Sequence, residues 1–326
     1  MMRRLASRRL AYICVLALGL LACACASMGE SAPVERSPSA SFASSDAPVA
    51  EPVVEPVVET VSFTFGWKVP SAVQVTERVE TEGGTAVLRY WARLAPDAAG
   101  SHLSLTLSDF VFLEIDGEPI DAPDEKERVR ALLQRVRAVP RIVLSEGGAF
   151  VDIEGMDERI ETVLSLEGDP DEETARVMRS PEMRQMLIEK SREFWVTWVE
   201  AWRGLSLALG EHRSLPSPDG EVSLHFTSYH NGLAKLEKTL ELDPEALRRE
   251  VSKALAHMAA GLGEDASQIP PLDDVRRTTR YRVETDPRTL MPRRALVEHK
   301  TTLTLAGEPH EQIERHAYVF DWESDG

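Results

Sequence analysis

Cysteine is missing beyond residue 25: the chain's three cysteines are Cys14, Cys23 and Cys25. The rest of the sequence therefore has no disulfide, no thiolate nucleophile and no cysteine-built zinc site, and its stability must come from an ordinary hydrophobic core. Positive charge is also scarce, with 37 Lys and Arg against 54 Asp and Glu and a formal net charge of -17. Loss of the four arginines at the start would take the net charge to -21. Such a field repels phosphates, and no basic stripe interleaved with aromatics occurs, so no nucleic-acid partner is expected. One long apolar run exists, Leu10 to Ala22, and it is shorter than the ~20 residues a spanning helix needs.

Catalytic signatures are missing too. Gly204-Leu205-Ser206-Leu207-Ala208 lacks the second glycine of a nucleophile elbow, and neither Ser-x-x-Lys nor a Gly-rich phosphate loop occurs. His310 and His316 are too far apart for the i, i+4 spacing of a zinc helix. On a strand they would stand about 20 Å apart, so both read as surface polar residues. His225 and His230 flank Tyr229 with no acid to complete a metal set. Asp169-x-Asp171-Glu172-Glu173 lacks the glycine and closing glutamate of a calcium loop and reads as negative charge at a helix N-terminus. No metal, cofactor or catalytic residue is expected.

The first 26 residues carry Arg3, Arg4, Arg8 and Arg9 ahead of the apolar run, the layout of an export signal. Ala24-Cys25-Ala26 fits ordinary signal cleavage, which would release a soluble chain starting at Ser27. Leu20-Leu21-Ala22-Cys23 resembles the lipobox of bacterial lipoproteins, with Leu21 where that family prefers a small residue or valine. The resemblance implies a diacylated, palmitate-bearing Cys23 as the mature N-terminus, a membrane partner reached through that anchor, and, with Ala24 next, delivery to the outer membrane facing the periplasm or the cell surface. Residues 27–60 then turn to Ser, Ala, Pro, Val and Glu, with Glu51-Pro52-Val53-Val54 repeated at Glu55 to Val58. This composition cannot bury enough apolar surface to fold and reads as an extended linker.

Residues 61–326 read as a single α+β domain, with any division into two subdomains near 204–215. Val61, Phe63, Phe65 and Trp67 alternate as a strand, and further strands are predicted at 72–80, 85–94 and 102–115. Val129, Leu132, Leu133 and Val136 share a helical face, closed by Pro140. Residues 142–144 and 150–153 flank Gly147-Gly148 as a hairpin. Helical period runs from Asp157 to Trp202, broken at Asp169-Pro170 and restarted by Ser180-Pro181-Glu182, an N-cap and N1 proline. Asn231-Gly232 joins strands at 221–228 and 234–242, and a helix follows with Leu247, Val251, Leu255 and Met258 inward. Strands at 278–285, 293–305 and 310–322 close the chain.

Tyr281-x-Val283 with the turn Asp286-Pro287-Arg288-Thr289-Leu290-Met291-Pro292 resembles hairpins of periplasmic lipoprotein carriers of the LolA/LppX type. That resemblance implies a curved antiparallel sheet with several helices packed on one face and a hollow for acyl chains. The expected function is a non-catalytic envelope lipoprotein binding an apolar ligand or lipid between sheet and Trp-rich helix, its lining drawn from Leu187, Phe194, Trp198 and Trp202. The alternative is a structural or protein-interaction lipoprotein with no small-molecule site.

Overall fold

The computed structural model describes residues 60–120, 141–166, 172–217, 220–249, 251–252, 272–305 and 307–322. The leader, Cys23, most of the linker, the helix expected around 123–139, Asp169 to Asp171, and Leu255 and Met258 lie outside them.

Strand β1 (Thr60–Ser62) is followed by β2 (Ser71–Thr81), β3 (Gly84–Pro96), β4 (Leu103–Ile115), β5 (Glu118–Pro119), β6 (Arg141–Leu144) and β7 (Phe150–Glu154). Helices α1 (Met156–Leu166), α2 (Glu172–Met178) and α3 (Pro181–Trp195) come next, and a π-helical turn, Val196–Glu200, extends α3. Strands β8 (Ser206–Ala208), β9 (His212–Ser217), β10 (Gly220–His230), β11 (Leu233–Leu242), β12 (Leu272–Thr285), β13 (Pro292–Leu305) and β14 (Glu308–Trp322) complete the order.

Twelve strands form one antiparallel sheet in the order β7-β6-β4-β3-β2-β14-β13-β12-β11-β10-β9, with β5 beside β4. The expected α+β class is thus corrected to a predominantly β protein. Strands together take up most of the described chain, with 13 to 15 residues each at β3, β4 and β12 to β14, while the stretch from Met156 to Glu200 supplies only three α-helices and the π-turn.

Two local misreadings feed this correction. The zone around Gly204 and Gly210, expected as turn, holds β8 and leads into β9. Strand β12 begins six residues before the expected Thr278, because its inward positions there include Arg277, a residue type that hides an alternating pattern.

The expected strand from Val61 to Trp67 is mostly not one. Only 60–62 pair, with β8 and outside the main sheet. Beyond that, Thr64 and Gly66 donate their N–H groups to Pro287 and Thr289 carbonyls of the β12–β13 turn. Phe63 and Trp67 still point inward and are buried, Phe63 edge-on to Phe226.

A flat sheet of eleven neighbouring strands would be about 48 Å wide, far beyond the ~10 Å breadth of a helix. Yet residues of β2, β3, β4, β6, β10, β11, β12, β13 and β14 join one core cluster with Trp195, Trp198 and Trp202. The sheet must therefore curl about α3 and its π-turn, as large twisted sheets do. Trp198 meets Tyr318 and Phe320 edge-on at 5.5 and 5.0 Å, and Trp67 meets Trp195 and Trp322 at 5.4 and 4.8 Å. No helix among the described residues is long and apolar enough to cross a membrane.

Candidate functional site

Strict alternation puts every second residue of a strand on the inner face, and part of that face is charged. On β14 the inward residues are Glu314, His316, Tyr318 and Phe320. Across the ladder Tyr318 faces Glu77 of β2, and Glu314 faces His299 of β13, which in turn faces Thr279 of β12. Helix α3 covers this row with Lys190, Ser191, Glu193 and Phe194.

The polar residues satisfy one another. His316 stands between two carboxylates, Nδ1 at 2.8 Å from Glu77 Oε1 and Nε2 at 2.8 Å from Glu314 Oε1. Carboxylates only accept, so both ring nitrogens donate and the ring is an imidazolium. Burial alone would lower the His316 pKa; the hydrogen bonds to Glu314 and Glu77 outweigh it and hold it up at about 9. Tyr90 Oη donates to Glu77 Oε2 at 3.1 Å. Lys190 Nζ bridges Glu314 at 2.9 Å and Glu193 at 3.4 Å.

His299 is the opposite case. Its Nδ1 lies 3.1 Å from Arg277 Nη2, and a guanidinium can only donate, so Nδ1 accepts and the proton sits on Nε2. That Nε2 is 2.8 Å from Glu193 Oε1. Burial holds the His299 pKa down, in keeping with a neutral ring. Glu193 is as deeply buried, which would raise it, but the His299 contact and the charges of Lys190 and Arg277 hold it well below the usual carboxylate range.

Beside this network lies a hollow of about 180 Å³ between α3 and the sheet, lined by Tyr90, Leu107, Phe110, Phe194 and Tyr318 together with Glu77, Arg159, Lys190, Ser191, Glu193 and His316. The tryptophan face of the helix packs into the core. Trp195, Trp198 and Trp202 are wholly buried, and Trp195 and Trp202 spend their indole N–H groups on the Gly148 and Thr197 carbonyls.

Of the four residues expected to line a ligand site, Phe194 reaches the hollow. Leu187 is half-buried against the core, and Trp198 and Trp202 are wholly buried within it. The charged wall was not foreseen. His316, expected at the surface, is inward and ion-paired, while His310 is exposed. His225 stacks edge-on with His212 across the β9–β10 ladder rather than with His230. Among the described residues no group of three or more His, Cys, Asp or Glu is placed to hold a metal ion.

Both nitrogens of His316 are hydrogen-bonded to carboxylates, His299 Nε2 approaches Glu193 within ion-pair distance, and Ser191 Oγ accepts from Arg159 Nη1 at 3.1 Å. No protein-family model matches the chain, and no curated protein matches it.

Proposed function

We propose that this protein is a non-catalytic lipoprotein of the bacterial envelope, anchored through Cys23, that holds the apolar part of a small ligand in the hollow between α3 and the sheet. The observation that carries the reading is the hollow itself: an aromatic-walled space, open at one side, where helix and curled sheet part company. Its size sets the ligand's scale. An apolar cavity of about 150 Å³ accommodates benzene, so 180 Å³ suits a ring or the end of one chain, not a diacyl lipid. The lipobox-like Leu20 to Cys23 supports the anchor, and the Pro-rich stretch after it supports a tether that holds the domain off the membrane.

The test is intact-mass spectrometry of the protein purified in detergent from its native membrane, followed by native-mass analysis. A mature N-terminus at diacylglyceryl-Cys23 and a small non-covalent adduct are expected. A chain starting at Ser27 would remove the anchor. An adduct-free protein whose hollow also takes up no octan-1-ol would remove the ligand.

A further inference from the structure

We infer that the ligand of the hollow is an anion, a carboxylate or phosphate monoester on an apolar chain, and that Arg159 is the counter-ion that recognises it. The inference rests on the hollow being a binding site and adds the head group to it.

Arg159 sits in the first turn of α1, its backbone N–H bonded at 3.0 Å to the carbonyl of Gly155, a residue of left-handed backbone (φ +82°) that follows β7. Its side chain is the hollow's wall nearest Ser191, and of its five N–H donors one is used, Nη1 to Ser191 Oγ. No carboxylate among the described residues lies within ion-pair distance of it. The other cations on this wall are taken: Lys190 by Glu314 and Glu193, His316 by Glu77 and Glu314. The acids are correspondingly engaged by those cations, with His299 beside Glu193 and Arg277 bonded to that histidine. One guanidinium, half-buried and lowered in pKa by its partial desolvation, has no counter-charge among the described residues.

Burying an unpaired charge is costly unless a partner arrives. A guanidinium offers a fork of parallel donors that matches the two oxygens of a carboxylate or phosphate. Phe110, Phe194, Leu107 and the Tyr90 and Tyr318 rings supply the apolar wall beside it. The site is thus amphiphilic in the order charge then aromatics, the order of a single-chain anionic amphiphile. A cationic head would meet Arg159 and gain nothing from acids that are already paired. A neutral one would leave the guanidinium as it is.

The experiment is titration calorimetry of the full-length protein with octanoate, octyl phosphate, octan-1-ol and octylammonium. Octanoate and octyl phosphate should bind about tenfold or more tightly than octan-1-ol, the scale of one charge-assisted hydrogen-bond pair, and octylammonium more weakly than octan-1-ol. Preference between octanoate and octyl phosphate separates a fatty-acid-like ligand from a phosphate-headed one. Arg159→Met should bring octanoate down to the level of octan-1-ol measured on the same variant, while Arg159→Lys should keep part of the difference. Should Arg159→Met fail to fold, the salt dependence decides on the native chain: octanoate must weaken with ionic strength and octan-1-ol must not. Equal binding of octanoate and octan-1-ol overturns the anion inference and leaves the hollow reading standing. Absence of binding by all four overturns both.

Discussion

Gly148 has φ +75°, and a Cβ there would lie 2.4 Å from the Phe65 ring. Its carbonyl takes the Trp195 indole N–H at 3.0 Å. Left-handed strain and overpacking therefore add in one residue, and Gly148→Ala should cost about 2–4 kcal/mol, read as a lowered urea midpoint. The tryptophans offer a controlled pair. Trp198 and Trp202 are equally buried, but Trp202 Nε1 donates to Thr197 O at 2.8 Å and Trp198 Nε1 has no partner. Replacing either by Phe removes similar volume, yet only Trp202→Phe strands a buried carbonyl. It should be the more destabilising by about 1–2 kcal/mol in denaturant unfolding, and equal costs would contradict this account.

At the level of elements, α3 begins where the sequence says it should. Ser180 accepts the Met183 N–H at 3.2 Å with Pro181 in the first turn, so Ser180→Ala should cost about 1 kcal/mol. The contact between α3 and the sheet has a pH signature. The pKa of His316, about 9 in the folded chain, lies above the ~6.5 of an unfolded one. Its contribution is complete below pH 6.5 and is lost as the pH rises through 9, on the order of 2–3 kcal/mol. His316→Gln should thus be much less stable than the native chain at pH 6 and nearly as stable at pH 9.5. Acid acts through the other groups. Glu193 and Glu314 are held down by their cationic neighbours, so their contribution is present above ~4.5 and disappears as the pH falls below it. His299, kept neutral by burial, adds a loss that starts below ~6.5.

For the whole molecule, the decisive junction is β14. It is the last of the described strands, yet it sits in mid-sheet between β2 and β13, and it supplies Tyr318 and Phe320 to Trp198 as well as His316 to the charged wall. A chain truncated after Leu305 should lose its near-ultraviolet tryptophan signal and fail to unfold cooperatively. A truncated chain that kept a native-like signal would show that the two arms of the sheet stand without this strand. Much of the framework was legible beforehand. The strands at 72–80, 85–94, 102–115, 221–228, 234–242, 293–305 and 310–322, the Asn231-Gly232 hairpin and the Ser180 cap each rest on local chemistry, and each is present. The site was much less so. Phe194 stood out as an aromatic at helical spacing, but Glu77, Arg159, His299 and His316 are scattered over 240 residues with no motif to join them.

The sequence by itself determined where strands alternate, where α3 starts and that no cysteine chemistry operates beyond residue 25, because caps, turns and period-two burial act over a few residues. Tertiary structure alone decided the strand order, the aromatic partners of the buried tryptophans and the gathering of charge beside an aromatic hollow. Strand register across the sheet places residues side by side without regard to their distance in the chain. Only the curl of that sheet about α3 decides which inward positions are filled and which are left open.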